Sequence, residues 1–290
     1  MSIEIGKMND LPLVRMDEKG GFLDAGAYGE VFLPLSQLPE NPELGILISV
    51  FCYMDDGRLT VTAKRPKALL GELAKLTVKS ALRGAAYLEW GIRKDLMVPF
   101  MEQRFPMKEE REYIVYVAKD RDDRLFGTTK FNRYISDVLP ENSNLKEGDA
   151  VDLIAVAKTP LGIKMVVNNK YYAMLMSGSN DTSEIRLGVK TRGYILTIRK
   201  DRKINVGLHK TGKSGIDSAG FLILNMLKNS ENGFLPFTDK TDPIVIEENF
   251  GMSKGKFKKA IGGLYKERKI EIKANGIQLL DSDVDTTEHA

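Results

Sequence analysis

The amino-acid sequence predicts a multidomain chain: three tandem five-stranded β-barrels followed by a small α+β domain. Three observations predict it. A stretch of about 65 residues recurs, so that Gly6, Gly26, Pro34 and Arg58 return as Gly71, Gly91, Pro99 and Arg124. Each copy alternates apolar and polar residues with period two, the mark of half-buried strands. From Asp217 the apolar spacing changes to that of helices.

The first two copies align without a gap through their middle, FLDAGAYGEVFLPLSQ (Phe22 to Gln37) over YLEWGIRKDLMVPFME (Tyr87 to Glu102). A third, looser copy starts at Gly148, where GDAVDLIAV matches GELAKLTVK at Gly71, and it places Asn168 where the others have Gly26 and Gly91. Gly and Asn are the residues that most readily take a positive φ, so a tight turn is kept. Repeats of this length form an array of similar small domains, which excludes a single large enzyme fold here. In the first copy Leu11 to Met16, Gly21 to Asp24, Glu30 to Leu33, Leu47 to Tyr53 and Leu59 to Ala63 are strand candidates. Asp56-Gly57 joins the last two as a tight hairpin, matched by Asp122-Asp123 and Asp201-Arg202. Five short strands fit the oligonucleotide-binding (OB) barrel; a five-stranded sandwich or an SH3-like barrel would give the same pattern. The expected boundaries are 1–66, 67–138 and 144–213 for the barrels, 214–281 for the α+β domain and 282–290 for a disordered tail.

In the α+β domain, Phe221, Leu224 and Leu227 stripe a first helix that stops near Asn232-Gly233. A second starts at Asp242-Pro243, an N-cap with proline at the first helical position, and stops at Phe250-Gly251. Ser253 caps a third, whose Phe257, Ile261 and Leu264 share one stripe. Asn275-Gly276 predicts a type I′ hairpin. Three helices and a β-hairpin make a winged helix. Gly262 and Gly263 each cost about 1 kcal/mol against Ala inside a helix, which predicts close packing there.

Net charge is +3 over 290 residues, but it is graded: −4 over 1–66, +2 over 67–143, +7 over 144–213, +1 over 214–281 and −3 beyond. A polyanion is therefore drawn to the third barrel far more than to the first. The single cysteine, Cys52, has no internal disulfide partner, and no basic-then-apolar leader or long apolar run is present. The reading is a cytoplasmic protein with no membrane contact. Only two histidines exist, and neither metal-ligand spacing nor a nucleophile with a base is visible, so an enzyme, a metal and a cofactor are not expected. Gly207 to Ser214 (GLHKTGKS) matches a phosphate-cradling loop. Its preceding strand, however, is the last strand of a barrel, and too little chain follows for a parallel sheet. The segment reads as a linker.

The small-residue turn, the GFLD strand, the VFLPLSQ segment and the DDGRLTV hairpin resemble the S1 motif, an RNA-binding OB barrel. That resemblance implies an RNA face of strand aromatics, a histidine and an Asp/Arg pair at the last hairpin. Phe22 and Tyr87 match the aromatic, Pro34 and Pro99 replace the histidine, and Arg58, Arg124 and Lys203 match the arginine, with Asp120 in the aspartate's place. Stacked rings flanked by cations suit single-stranded nucleic acid. In the third barrel Arg192, Arg199, Lys200, Arg202, Lys203 and His209, with Tyr171 and Tyr172, form the expected RNA surface. In the third helix Lys259 and Lys266 point away from the apolar stripe, and Lys256 and Lys258 flank them. Without Arg, Asn or Gln on that exposed face, phosphate contact is expected rather than base reading.

The order of three such repeats and a winged helix, with the segment GMSKGKFKKAIGGLYKERKIEI, resembles the conserved virulence factor B family. The resemblance implies a bacterial RNA-binding regulator of virulence-gene expression. Alternatives from other classes are a DNA-binding transcription regulator acting through the winged helix and a protein adaptor on ribosome or polymerase using the acidic first barrel.

Overall fold

A computed structural model describes residues 2–176, 185–208, 218–228 and 230–280. The chain forms two compact units that divide between Ile135 and Ser136.

The first barrel consists of β1 (Met8–Asp17), β2 (Gly20–Asp24), β3 (Glu30–Pro34), β4 (Leu47–Asp55) and β5 (Arg58–Thr62), in the order β3-β2-β1-β4-β5. The second repeats it with β6 (Leu73–Ala81), β7 (Ala85–Leu88), β8 (Leu96–Pro99), β9 (Glu112–Lys119) and β10 (Leu125–Thr128). The third, β11 (Ala150–Thr159), β12 (Gly162–Val167), β13 (Tyr171–Met176), β14 (Lys190–Ile198) and β15 (Ile204–Gly207), is a closed barrel, sealed where β13 pairs in parallel with β15. In the first two barrels hydrogen bonds outside the strand ladders help seal the gap. Gln37 Oε1 accepts from Thr62 Oγ1 at 2.7 Å and Ala63 N at 2.8 Å, and Thr129 N donates to Glu102 O at 3.1 Å.

The period-two alternation decides which residues enter each core. Leu11, Leu13, Leu23, Val31, Leu33, Val50 and Val61 fill the first; Leu153, Met165, Val167, Leu175, Ile195 and Val206 belong to the third. The first strand of every barrel carries a register shift at one equivalent place, Leu13/Arg15, Val78/Ser80 and Ala155/Ala157. There one extra residue bends the strand from its fourth-strand partner onto its second. The glycines that lead into these strands have φ of 82°, 86° and 89° at Gly6, Gly71 and Gly148. The turn after the second strand holds Gly26, Gly91 and Asn168 at φ 60°, 88° and 49°, the substitution expected from the alignment.

The first two barrels are packed into one body. Phe51 and Tyr53 of β4 join the apolar cluster of the second barrel, Phe51 meeting Trp90 edge-on at 5.4 Å between centroids. Trp90 Nε1 donates to Ala68 O at 2.8 Å.

The last domain contains α1 (Ser218–Lys228), β16 (Phe234–Leu235), α2 (Pro243–Phe250), α3 (Lys254–Lys266), β17 (Ile270–Lys273) and β18 (Gly276–Leu279), the three strands forming one sheet. This is a winged helix. Asp242 and Ser253 cap α2 and α3 by accepting from Ile244 N and Lys256 N, and Gly251 ends α2 at φ 61°. Two expectations need correction. The wing turns at Ala274 and Asn275, neither with positive φ, so it is not type I′. Gly276 lies in β18, where a Cβ would come within 2.3 Å of Leu235 O, so close strand approach explains it. A Cβ on Gly262 would meet open space, so packing does not demand that glycine.

Candidate nucleic-acid interface

The hairpin joining the fourth and fifth strands has the same place in all three barrels, and its charge rises along the chain. In the first, Asp55 and Asp56 accompany the exposed Arg58, and Asp55 pairs with Lys94. In the second, Arg124 is held within its own hairpin, Nε to Asp120 Oδ2 at 2.9 Å and a terminal nitrogen to Asp122 Oδ2 at 3.0 Å. Burial opposes ionisation of Asp120, but the Arg124 and Asp122 amides and the Arg124 guanidinium outweigh it and hold its carboxyl below the ordinary range. In the third, Asp201 alone serves Arg199 at 3.2 Å and Lys203 at 3.8 Å, and Lys200 stands exposed at the tip. Arg202 behaves differently. At φ 64° it turns inward, and Nε donates to Leu139 O at 3.1 Å. This arginine braces the chain entering the barrel. Arg192 is exposed and pairs loosely with Asp152 at 3.3 Å, an arrangement that contributes at most about 1 kcal/mol.

The outer face of the first three strands differs from copy to copy. In the first barrel Arg15, Phe22 and Phe32 stand in a cross-strand row. The Arg15 guanidinium lies 3.6 Å from the Phe22 centroid and pairs with Glu30 at 3.0 Å, so one side of that ring is already covered. Phe32, 5.3 Å from Phe22, is more exposed. Sequence reading passed over it, although inward Val31 and Leu33 imply an outward Phe32. The second barrel has Ser80, Tyr87 and Met97 in the same row. The third has Ala157, Lys164 and Met174. Lys164 precedes Asn168 by the four residues that separate Phe22 from Gly26, so the third copy has a cation in the aromatic position.

Tyr171 and Tyr172 therefore do not supply the missing ring. Tyr171 packs partly against the third core; Tyr172 is 6% exposed, with the Lys164 ammonium 3.5 Å from its centroid. One row along, Asp24 and Glu30 pair in the first barrel, Glu89 and Asp95 are their counterparts in the second, and Val166 and Tyr172 pair in the third. With Ile154 opposite Val166, this row of the third barrel is apolar and buried. Among the described residues no stacking surface is open there.

In the winged helix α3 buries Phe257, Ala260, Ile261 and Leu264. Lys256, Lys258, Lys259 and Lys266 face solvent as the stripe implies, and Lys258 pairs with Asp239 at 3.3 Å. His209, the segment from Lys210 to Ser214, and the tail from 282 lie outside the described residues. Gly207 is buried in β15 of the barrel, as expected from the repeat alignment.

Residues 5–64 match the S1 domain family and residues 222–279 the CvfB-like winged helix domain family. Conserved virulence factor B of Staphylococcus epidermidis is 27% identical over 95% of this chain and 94% of its own length. The chain is a homologue of conserved virulence factor B. The Staphylococcus aureus protein of that name is 25% identical over 95% of this chain and 94% of its own, and the uncharacterized protein YitL of Bacillus subtilis is 26% identical over 93% and 91%. A crystal structure described as a multidomain protein with nucleic acid binding domains, from Streptococcus pneumoniae, aligns over 95% of this chain and 98% of that one at 21% identity, with a TM-score of 0.38. Among the described residues no helix is long and apolar enough to cross a membrane.

Proposed function

We propose that this chain is a cytoplasmic RNA-binding protein that regulates gene expression, without catalysis of its own. It takes single-stranded RNA mainly through the third barrel and the winged helix. The observation that carries the reading is the graded hairpin. The same turn is acidic in the first barrel, holds Arg124 on its own carboxylates in the second, and in the third sets Arg199, Lys200 and Lys203 against Asp201. Phosphate neutralisation dominates nucleic-acid affinity, so the third hairpin is where a polyanion is held. The exposed lysines of α3 add a second cationic face, suited to phosphates and without a base-reading code.

A second reading, duplex DNA on the winged helix, rests on that same helix. Competition separates the two: single-stranded RNA displaces a bound RNA probe at lower concentration than duplex DNA of equal length. Duplex DNA winning would move the function to DNA. Adaptor activity on ribosome or polymerase predicts no affinity for free RNA at all.

A further inference from the structure

One end of the second barrel, where the β6–β7 hairpin meets the turn after β8 and the Ser80, Tyr87 and Met97 row ends, carries exposed apolar residues and cations. Leu82, Phe100, Met101 and Phe105 are 63%, 53%, 76% and 71% exposed. Hydrogen bonds bring the segments that carry Leu82, Phe100 and Met101 together. Leu82 N donates to Ala85 O and Phe100 N to Gly84 O, both at 2.9 Å, so the β6–β7 hairpin tip lies against the turn that follows β8. Lys130 Nζ donates to Met101 O and Arg104 N to Thr129 Oγ1, both at 2.7 Å. The Arg104 guanidinium stands 6.0 Å from the Phe105 centroid, and Arg83 is exposed on the hairpin. Two carboxylates lie at this end: Glu102 is taken by Arg133, and Glu109 Oε1 accepts from Ala81 N at 2.9 Å.

The fold does not require apolar residues at this end. The gapless repeat supplies an internal control, because Leu35 N donates to Lys19 O at 2.9 Å in the first barrel, as Phe100 N does to Gly84 O. There the counterparts of Leu82, Arg83, Met101, Arg104 and Phe105 are Asp17, Glu18, Ser36, Pro39 and Glu40, and Leu35 stands at the position of Phe100. One backbone thus carries an acidic, polar end in one copy and an aromatic, cationic end in the other. Exposed clustered apolar side chains mark a binding surface. Rings beside guanidinium groups suit unpaired bases, whose faces stack while the cations meet phosphates. A duplex hides those faces.

We propose that this end of the second barrel is a base-stacking site for single-stranded RNA, additional to the third-barrel hairpin, with Phe100 and Phe105 taking bases and Arg83 and Arg104 meeting phosphates. The proposal rests on the reading that the chain binds RNA.

The test uses the full chain and a fluorescein-labelled oligouridylate of about twenty nucleotides, read by anisotropy. Phe100→Ala with Phe105→Ala weakens binding at least about 5-fold, the low end for losing one stacked base, and leaves duplex binding unchanged. Unchanged affinity of the double variant, where wild type binds and the Arg199/Lys200/Lys203 variant binds more weakly, overturns this site alone. No binding by wild type overturns the underlying reading. Equal weakening for duplex, or loss of a protein partner with RNA binding intact, also overturns base stacking. Photocrosslinking of unmodified protein to thiouridine-substituted oligouridylate needs no variant. Crosslinks within residues 96–108 are expected, and their absence alongside crosslinks elsewhere contradicts the proposal.

Discussion

Arg202 Nε donates to the Leu139 carbonyl oxygen at 3.1 Å, and Leu139 N donates back to Arg202 O at 2.9 Å. A terminal nitrogen of the same guanidinium reaches Pro140 O. Leu139 is buried in the third core, and Tyr172 N donates to Ser136 O nearby, so this arginine fixes the segment entering the barrel. Charge-assisted hydrogen bonds contribute about 1.5–3 kcal/mol each when their partners are withdrawn from water, and less when partly exposed. Arg202→Ala is therefore expected to lower amide-exchange protection at Leu139 and Tyr172, whereas Lys200→Ala leaves it unchanged. Equal protection in the two variants would show that Arg202 is not structural.

The only tryptophan reports on the first two barrels as one body. Trp90 is buried, bonded to Ala68 and edge-on to Phe51 of the neighbouring barrel. Removing a buried aromatic ring costs about 3–5 kcal/mol. Phe51→Ala is expected to shift Trp90 emission to the red and lower its urea midpoint, although the substitution lies in the other repeat. An unshifted midpoint would mean the barrels unfold independently.

Cys52 is fully buried in the first core. Burial pushes its thiol up to about 11, opposed by a hydrogen bond with the Asn9 side chain. A raised thiol favours the folded state below the free-thiol value near ~8.5, and that contribution is lost as pH rises toward the folded value. Near neutral pH, an aromatic disulfide reagent should react with Cys52 slowly in the native protein and rapidly in urea. Fast native reaction would place Cys52 at the surface.

Asp120 is held below the ordinary aspartate range despite the opposing effect of burial. A depressed carboxyl stabilises the fold above the unfolded value near ~3.9, and that effect disappears as pH falls through the folded value. A carboxyl NMR titration should place its midpoint below ~3.9. Arg124→Ala should raise the midpoint only part of the way, because the Asp122 and residue-124 amides still donate. A midpoint unmoved by the substitution would leave Arg124 free for another partner.

The backbone was far more legible than the surface. Gly6, Gly71 and Gly148, and the set Gly26, Gly91 and Asn168, announce turns because few other residues take positive φ cheaply. Asp242 and Ser253 announce helix starts because their side chains satisfy amides that no helical carbonyl reaches. Alternation also tells which side chains enter a barrel, but not what lies against its outside. Tyr172 alternates outward and is nevertheless buried, and Phe51 faces a second barrel instead of water. Charge has the same limit. Arg202 reads as part of the RNA surface in the sequence, yet it is held by carbonyls some sixty residues away, and Arg124, expected beside Asp120, is held by Asp122 as well. Lys164 was legible in principle, by counting back from Asn168, but the adjacent tyrosines suggested an aromatic platform.

In the proposed function, cations on the third hairpin hold the RNA phosphates. The direct measurement is the salt dependence of affinity for a single-stranded RNA, in wild type and in the variant with Arg199, Lys200 and Lys203 replaced by alanine. Each neutralised phosphate contributes about 0.7 to the slope of log affinity against log salt for single strands. The variant should bind more weakly, with a slope shallower by about 2. An unchanged slope and affinity would contradict the account.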